Sequence, residues 1–301
     1  MVNNLIELYN DKKFISSFKK YHLKEYPSIY IVNNLPIHFD PKFKKIGITM
    51  SGGADSSLLF YILCKLIQDT NSECKIYPIT MVRNYDDKPW DEIVQDNVYS
   101  WFYKKFPYIV KEHIKGFIPP ALELVPISRL KLEKLNSQYG NLADITNVDV
   151  VCITNYTDYI FKKNNLDYIY SGTTTNPIEI DNTGAPKFRN KENMKLDITK
   201  VISKTNIDPF ALITKDWIIA QYYNFKILDL LDLTRSCDAN IDTNDTIPQP
   251  CNECFFCKER NWALENKEKY LMEIDNEPPL LLRTRWNKFQ ERIRNFVSTT
   301  K

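Results

Sequence analysis

The stretch that decides the fold is KIGITMSGGADSS at 45–57, in which a short β-rich run leads into a turn with two adjacent glycines. LLFYILCKLI follows at 58–67, and its Leu59, Ile62 and Leu66 recur at the spacing of one helix face. This order predicts a strand, a tight loop and a helix.

Strand-like and helix-like segments continue to alternate after this unit. Buried strands are predicted at 75–82, 108–114 and 168–173, and helices at 91–106 and 149–165. Strands that alternate with helices pair in parallel through crossover connections. The sequence therefore predicts the α/β class, with a doubly wound parallel sheet that has helices on both faces.

The flanking segments differ from this alternating pattern and suggest three regions. Residues 1–44 form an N-terminal extension with a predicted amphipathic helix at 5–18, followed by a strand or hairpin. Residues 45–206 form the α/β domain, and residues 207–301 a mainly helical, cysteine-rich C-terminal region. A basic amphipathic helix at 283–296 is predicted to serve packing or dimerisation, with nucleic-acid contact as the alternative.

Composition narrows the class of protein. The 301 residues are 43% hydrophobic and 26% charged with a net charge of +2, which is typical of a folded globular chain and not of a disordered, collagenous or coiled-coil one. Near-neutral charge argues against a protein that mainly coats nucleic acid. No apolar run approaches the roughly 18 residues of a membrane helix. The polar N-terminus lacks a secretory signal, so we expect a cytoplasmic location.

The glycines of the SGGADSS loop are notable because the chain has only seven, where average use of about 7% would give roughly 21. Gly52 and Gly53 allow a tight turn whose amides can approach an anion, and the following helix N-terminus adds donors and a positive dipole. Ser51, Ser56 and Ser57 add hydroxyl groups. The string predicts a phosphate site, with a plain strand-to-helix turn as the alternative.

Asp55 lies inside the same loop. A carboxylate there can hold Mg²⁺ against nucleotide phosphates, because a hard cation prefers oxygen ligands. The loop lacks the lysine and the spacing of a Walker motif. The residues alone therefore predict a nucleotide site of another type.

Four of the seven cysteines are clustered in the C-terminal region. Cys237, Cys251, Cys254 and Cys257 have the spacing C-x13-C-x2-C-x2-C, which suits one tetrahedral, structural Zn²⁺. A redox cysteine pair and an iron–sulfur cluster remain as alternatives. The other three cysteines are predicted to be buried small residues; they are Cys64, Cys74 and Cys152.

With its SGGADSS string at 51–57, the chain resembles the PP-loop, or N-type, ATP pyrophosphatase superfamily, whose signature is SGGxDS after the first strand. The resemblance implies a Rossmann-like fold of the adenine nucleotide alpha hydrolase type. It also implies that ATP is cleaved between its α and β phosphates to adenylate a substrate. On this resemblance Ser51, Gly52, Gly53, Asp55, Ser56 and Ser57 form the ATP phosphate site.

Two further motifs resemble the 7-cyano-7-deazaguanine synthases within that superfamily. DPFALITK at 208–215 and LTRSC at 233–237 precede the C-x2-C-x2-C of 251–257, in the order of that family. The resemblance implies that Lys215 acts on the phosphates or the adenylate, beside a catalytic Asp55. It implies a ligand loop at Gly172 and Thr173, and it assigns the four clustered cysteines to zinc.

The resemblance also implies a reaction. 7-Carboxy-7-deazaguanine would be adenylated, converted by ammonia to the amide, and activated by a second ATP to give the nitrile of queuosine biosynthesis. The implied cofactors are ATP, Mg²⁺ and Zn²⁺, and a homodimer is expected. SGTTTNPIEIDNTG at 171–184 departs from the family's substrate loop, and the gap between Cys237 and Cys251 is longer.

Two other functions remain open at this point. A related ligase or amidotransferase would join the same or another acid to a different amine, such as one on a macromolecule. A non-catalytic nucleotide-binding module would use the zinc knuckle to contact RNA or protein. The retention of every polar residue in the SGGADSS loop favours an enzyme over such a module.

Overall fold

The computed structural model describes residues 29–33, 35–83, 90–118, 148–181, 184–186, 189, 205–237 and 249–271. The helices predicted at 5–18 and 283–296 lie outside these residues. Within the described part of the chain, no helix is both long and apolar enough to cross a membrane.

The centre of the molecule is a five-stranded sheet in which every neighbouring pair of strands is parallel. Its strand order is β5-β4-β3-β6-β7. The strands are β3 (Lys45–Thr49), β4 (Lys75–Arg83), β5 (Ile114–Ile118), β6 (Tyr168–Tyr170) and β7 (Asn206–Ile207). An antiparallel hairpin precedes the sheet and consists of β1 (Ile29–Val32) and β2 (Leu35–His38).

Six α-helices are described. They are α1 (Ala54–Asp69), α2 (Asp91–Lys105), α3 (Val148–Asn164), α4 (Lys215–Asn224), α5 (Leu228–Leu233) and α6 (Phe255–Asn266), and a 3₁₀ turn at Lys267–Tyr270 follows α6. The predicted strand, loop and helix at 45–67 are confirmed, as is the parallel α/β class.

Two predicted strands have different bounds in the structure. The strand expected at 108–114 begins only at Ile114. Val110 forms an isolated bridge to Ile76, and one extra residue then separates this bridge from the pairing of Ile114 with Ile79. The strand expected at 168–173 ends at Tyr170, since the following residues leave the sheet and pack against α1.

The two faces of the sheet are both covered. Ile46 and Ile48 point into a large apolar cluster that includes the buried side of α1, whereas a Cβ at Gly47 would meet Ile79 and Ile169 on the opposite face. That second face is closed by Ile160 and its neighbours on α3. The doubly wound arrangement predicted from the sequence is therefore present.

The hairpin and the C-terminal helices share the large cluster. Leu35 of the hairpin and Trp217 of α4 are almost completely buried in it. The Tyr170 hydroxyl donates to the His38 carbonyl at 2.7 Å, and the Tyr222 hydroxyl donates to the Ala54 carbonyl at 2.7 Å. Helix α4 is thereby held against Ala54, the first residue of α1. The candidate site lies at this end of α1.

Two of the three cysteines predicted to be buried are confirmed as such. Cys64 and Cys74 are both fully buried free thiols. Burial raises the pKa of Cys64 well above its usual range and that of Cys74 to about 12, so both stay protonated near neutral pH. The side chain of Cys152 lies outside the described residues.

We expect Tyr170→Phe to lower the free energy of unfolding by about 1–3 kcal/mol, because a buried carbonyl loses its hydroxyl donor. Urea denaturation measures the change. Tyr103→Phe is the matched control, since Tyr103 is half exposed on α2 and should leave the midpoint unchanged. Equal midpoints for the two variants would contradict the packing described.

Candidate nucleotide and metal site

The candidate site lies where the direction of strand order changes. From β3 the chain proceeds to β4 and β5 on one side, and it later returns to β6 on the other side of β3. The loops after β3 and β6 therefore diverge at the carboxyl ends of adjacent strands, where open α/β sheets bind ligands. These loops are the SGGADSS segment and the segment beginning at Ser171.

The SGGADSS loop requires glycine at its first turn. Gly52 has φ +77°, a left-handed conformation that L side chains rarely adopt, and a Cβ there would lie 2.9 Å from Val94 Cγ1. Gly53 is the N-cap of α1. The amides at the start of α1 thus lie at the carboxyl end of β3, which is the geometry of a helix N-terminal anion site.

The loop serines do not all point the same way. Ser51 is exposed, and its hydroxyl lies 3.1 Å from that of Ser56. Ser57 is fully buried and donates to the Gly53 carbonyl at 2.8 Å. Ser51 is therefore the serine best placed for a ligand, whereas Ser57 stabilises the first turn of α1.

The loop after β6 packs directly on the first turn of α1. A Cβ at Gly172 would lie 2.9 Å from the Ser56 backbone nitrogen, so only glycine allows this approach. The Thr173 amide donates to Asp208 Oδ1 at 3.1 Å. Gly172 and Thr173 were predicted to form a ligand loop. The structure brings them beside the SGGADSS loop, where Gly172 contacts the backbone of Ser56.

Asp55 and Lys215, the two predicted catalytic residues, form an ion pair. Lys215 Nζ lies 3.3 Å from Asp55 Oδ2, and the ammonium is almost completely buried. Thr174 donates to the same carboxylate oxygen at 3.2 Å. Sequence positions 160 residues apart are thus joined at the start of α1.

Glu259 of α6 is the second carboxylate that forms an ion pair with Lys215. Its Oε2 lies 3.0 Å from Lys215 Nζ, and its Oε1 pairs with Arg189. Burial alone would raise the pKa of Glu259, but the positive charges of Lys215 and Arg189 outweigh burial and lower it. Glu259 is therefore ionised although its side chain has no exposed surface.

Arg189 completes the cluster from the other side. Its Nε donates to the Thr174 carbonyl at 2.6 Å and its Nη2 donates to the Thr174 hydroxyl at 2.8 Å. The two positive charges of Lys215 and Arg189 therefore neutralise the two negative charges of Asp55 and Glu259 in one largely buried group. We call Asp55, Lys215, Glu259 and Arg189 the buried ion cluster.

Oxygen ligands remain available beside the buried ion cluster. Among the described residues, Asp55 Oδ1 is buried without a hydrogen-bond partner. Burial raises the pKa of nearby Asp208 well above its usual range, and the charge of Asp55 raises it further, although part of Asp208 reaches solvent. An unpartnered carboxylate oxygen next to a phosphate loop fits a bound cation or a ligand donor.

The four clustered cysteines converge as predicted. Their sulfur atoms all lie within 4.8 Å of one another, and Cys237 and Cys257 are buried. The Cys254 amide donates to Cys251 Sγ at 3.3 Å. Four thiols that converge in this way can hold one tetrahedral metal ion or an iron–sulfur cluster.

The segment that carries Cys237 connects the four-cysteine group to the SGGADSS loop. The Arg235 amide donates to the Gly52 carbonyl at 3.0 Å. Arg260 of α6 donates from Nη1 to Thr234 Oγ1 at 2.9 Å. The four-cysteine group and the SGGADSS loop are thus connected through Thr234, Arg235 and Arg260.

Sequence reasoning missed several members of the site. Arg189 and Glu259 belong to the buried ion cluster, yet neither stands in a motif with a recognisable spacing. Asp208 was within the DPFALITK stretch but had no assigned role. The signal that could have found Glu259 is its place two residues after Cys257, on a helix that needs a buried face.

A cavity of about 340 Å³ lies beside the four-cysteine group, not at the SGGADSS loop. It is bounded on one side by Asp181 and Gly184 and on the other by the cysteine-rich turn. Its lining residues are Asp181, Gly184, Glu253, Cys254, Phe255, Phe256 and Lys258. The cavity places the segment with the atypical sequence 171–184 against the cysteine-rich turn.

Comparisons with known proteins give only distant similarities. No protein-family model and no curated protein matches the chain. The chain is similar to the U34-tRNA thiolase NcsA of Methanococcus maripaludis, which has a 4Fe-4S cluster, with 13% identity and a TM-score of 0.38 over 75% of this chain and 66% of that one. It is also similar to the NAD+ synthetase of Burkholderia pseudomallei, with 10% identity and a TM-score of 0.30 over 85% and 82%. The chemistry of the site must therefore be inferred from its own residues.

We expect the purified protein to hold one zinc ion per chain, because four thiolates saturate a tetrahedral ion. Cys257→Ser should lower the zinc content well below one, and Cys64→Ala is the control that should keep it. Metal analysis together with the visible absorption spectrum gives the result. Stoichiometric iron and sulfide would instead assign the cysteines to a cluster.

Proposed function

We propose that this protein is an ATP-dependent enzyme of the PP-loop type that adenylates a carboxylic acid. The observation that carries the proposal is the position of the Asp55–Lys215 pair at the first turn of α1, beside the glycine turn at the sheet's switch point. A helix N-terminus binds phosphate, and a buried ammonium next to it can stabilise charge that develops on a leaving pyrophosphate.

The first chemical step is a displacement at phosphorus. A carboxylate oxygen of the substrate attacks the α-phosphorus of ATP, and the bond from that phosphorus to the bridging oxygen of the β-phosphate breaks. Pyrophosphate leaves with the bonding electrons, and an acyl adenylate remains. No protein nucleophile is needed, so the chain contributes positioning and electrostatic stabilisation.

The residues of the site have separate roles in this step. Ser51 and the amides that follow Gly52 bind the departing phosphates, and Lys215 neutralises the charge that develops. Asp55 orients Lys215 through one oxygen and offers the other to a cation. Mg²⁺, when bound there, supplies charge neutralisation across the phosphates.

The narrower proposal is that the acid is 7-carboxy-7-deazaguanine and the amine is ammonia. Attack of ammonia on the acyl adenylate releases AMP and a proton and gives the amide. The amide oxygen then attacks the α-phosphorus of a second ATP with release of pyrophosphate, and loss of AMP and a proton gives the nitrile. The support for this substrate is the order of the three motifs at 208–215, 233–237 and 251–257.

A related ligase with another amine is the second candidate. The observation that favours it is the loop at 171–184, which differs from the substrate loop of the 7-cyano-7-deazaguanine synthases and faces the cysteine-rich turn across a cavity. The adenylation step would be unchanged. The acceptor would then be an amine larger than ammonia.

The four-cysteine group is proposed to hold zinc with a structural role. Four thiolates leave no open coordination position, so such an ion organises the turn at 251–257 and does not bind substrate. An iron–sulfur cluster is the other cofactor that four cysteines can hold.

Mass spectrometry of products separates the two ligase proposals. Incubation of the protein with 7-carboxy-7-deazaguanine, ATP, Mg²⁺ and ammonium should yield the nitrile, with two ATP consumed for each product. Pyrophosphate release with the acid but without nitrile would favour a different amine. Absence of pyrophosphate release with every acid tested, together with tight RNA binding, would favour the non-catalytic module.

We expect Lys215→Gln to slow acid-dependent pyrophosphate release by about 100-fold or more, because a transition-state donor is lost. Lys162→Gln, at an exposed position near the end of α3, is the matched control and should retain the rate. A coupled pyrophosphate assay measures both, with circular dichroism to check folding. Equal rates for the two variants would remove Lys215 from the proposed chemistry.

A further inference from the structure

Helix α6 participates in two groups that have so far been described separately. Cys254 caps its N-terminus and Cys257 lies in its first turn, so two of the four metal ligands fix how the helix begins. Glu259 lies on the same helix and contacts Lys215 at 3.0 Å. One rigid element therefore joins the metal group to the candidate nucleotide site.

The helix presents the two groups in different directions. Successive residues of an α-helix are separated by about 100°, so Cys257 and Glu259 are about 200° apart around its axis. Cys257 faces the other thiols, whereas Glu259 faces α4 and its first residue, Lys215. Glu259 follows Cys257 by about half a turn of the same helix, so we expect a shift of the first turn of α6 to displace Glu259 relative to Lys215.

The contact between Glu259 and Lys215 is too deeply buried for water to replace it. The Glu259 side chain has no exposed surface and that of Lys215 only 4%. Removing one member of such a group leaves an uncompensated buried charge, which is strongly unfavourable. Displacement of Glu259 would therefore leave Asp55 as the nearest counter-charge to Lys215, and the ammonium would turn fully toward it.

The remaining contacts of Glu259 also end at the site. Arg189 pairs with Glu259 and donates twice to Thr174, which in turn donates to Asp55. Glu259 thus reaches Asp55 along two routes, one through Lys215 and one through Arg189 and Thr174. Both routes consist of buried side chains in direct contact.

We propose that Glu259 is a positioning residue through which occupancy of the four-cysteine site controls the affinity of the phosphate loop for ATP. With the metal bound, α6 begins at a fixed place and Glu259 holds Lys215 in the orientation that receives the phosphates. Without the metal, the first turn of α6 loosens and Lys215 pairs with Asp55 alone. This inference rests on the proposed function, since it assigns a regulator to the same nucleotide site.

The test measures nucleotide binding with and without metal. The dissociation constant of α,β-methylene-ATP with Mg²⁺ is determined by calorimetry for zinc-loaded and chelator-treated protein. Metal removal should weaken binding about tenfold in the wild type, a size typical of coupling between contacting charged residues. Zinc-loaded Glu259→Gln should bind about tenfold more weakly than the wild type and should retain one zinc per chain.

The decisive comparison is metal removal in the Glu259→Gln background. The change there should be close to zero, because the residue that transmits the effect is already altered. Glu265→Gln is the matched control, since Glu265 is exposed on the same helix and its substitution should leave the wild-type response intact. An equal response to metal removal in Glu259→Gln and the wild type would overturn the inference.

Hydrogen exchange in the wild type provides a test that needs no substitution. Metal removal should speed amide exchange in α4 as well as in the cysteine-rich turn. Faster exchange confined to 249–262, with α4 unchanged, would overturn the inference even if a variant failed to fold. Wild-type protein that binds no nucleotide with or without zinc would overturn both the proposed function and this inference. Nucleotide binding that does not respond to zinc would overturn this inference alone.

Discussion

The buried ion cluster of Asp55, Lys215, Glu259 and Arg189 is the constraint on which the rest of the site depends. Taking these charges largely out of water is costly, and each ion is tolerated because opposite charges and hydrogen bonds surround it. The members come from α1, α4, α6 and the loop that follows β6. The cluster therefore fixes how α4 and α6 pack against the α/β sheet, at the SGGADSS loop that precedes α1.

The position of this cluster follows from the topology of the sheet. Parallel strands place their following loops at one edge, and the return of the chain to β6 leaves two loops diverging at the switch point. Gly172 then packs onto the backbone at the start of α1, so the two loops form one surface. A ligand bound there would contact residues of both the loop after β3 and the loop after β6.

The sequence predicted the local chemistry better than the long-range contacts. SGGADSS and C-x2-C-x2-C are short contiguous motifs whose geometry follows from nearby backbone, whereas Cys237 was grouped with the other three cysteines by residue type across a gap of 13 residues. Glu259 and Arg189 could not be found in this way, since isolated charged residues are usually exposed and only the tertiary fold buries these two. The strand predicted at 108–114 begins later than expected because one extra residue interrupts its pairing with β4 between Val110 and Ile114, and local propensity does not reveal such an interruption.

We propose that ATP is cleaved between its α and β phosphates in a step that depends on a carboxylic acid. Phosphorus NMR of a reaction containing the protein, ATP, Mg²⁺, ammonium and 7-carboxy-7-deazaguanine observes the bond directly. The account predicts AMP and pyrophosphate in equal amounts, formed only when the acid is present. Formation of ADP and inorganic phosphate, or cleavage that is independent of the acid, would contradict it.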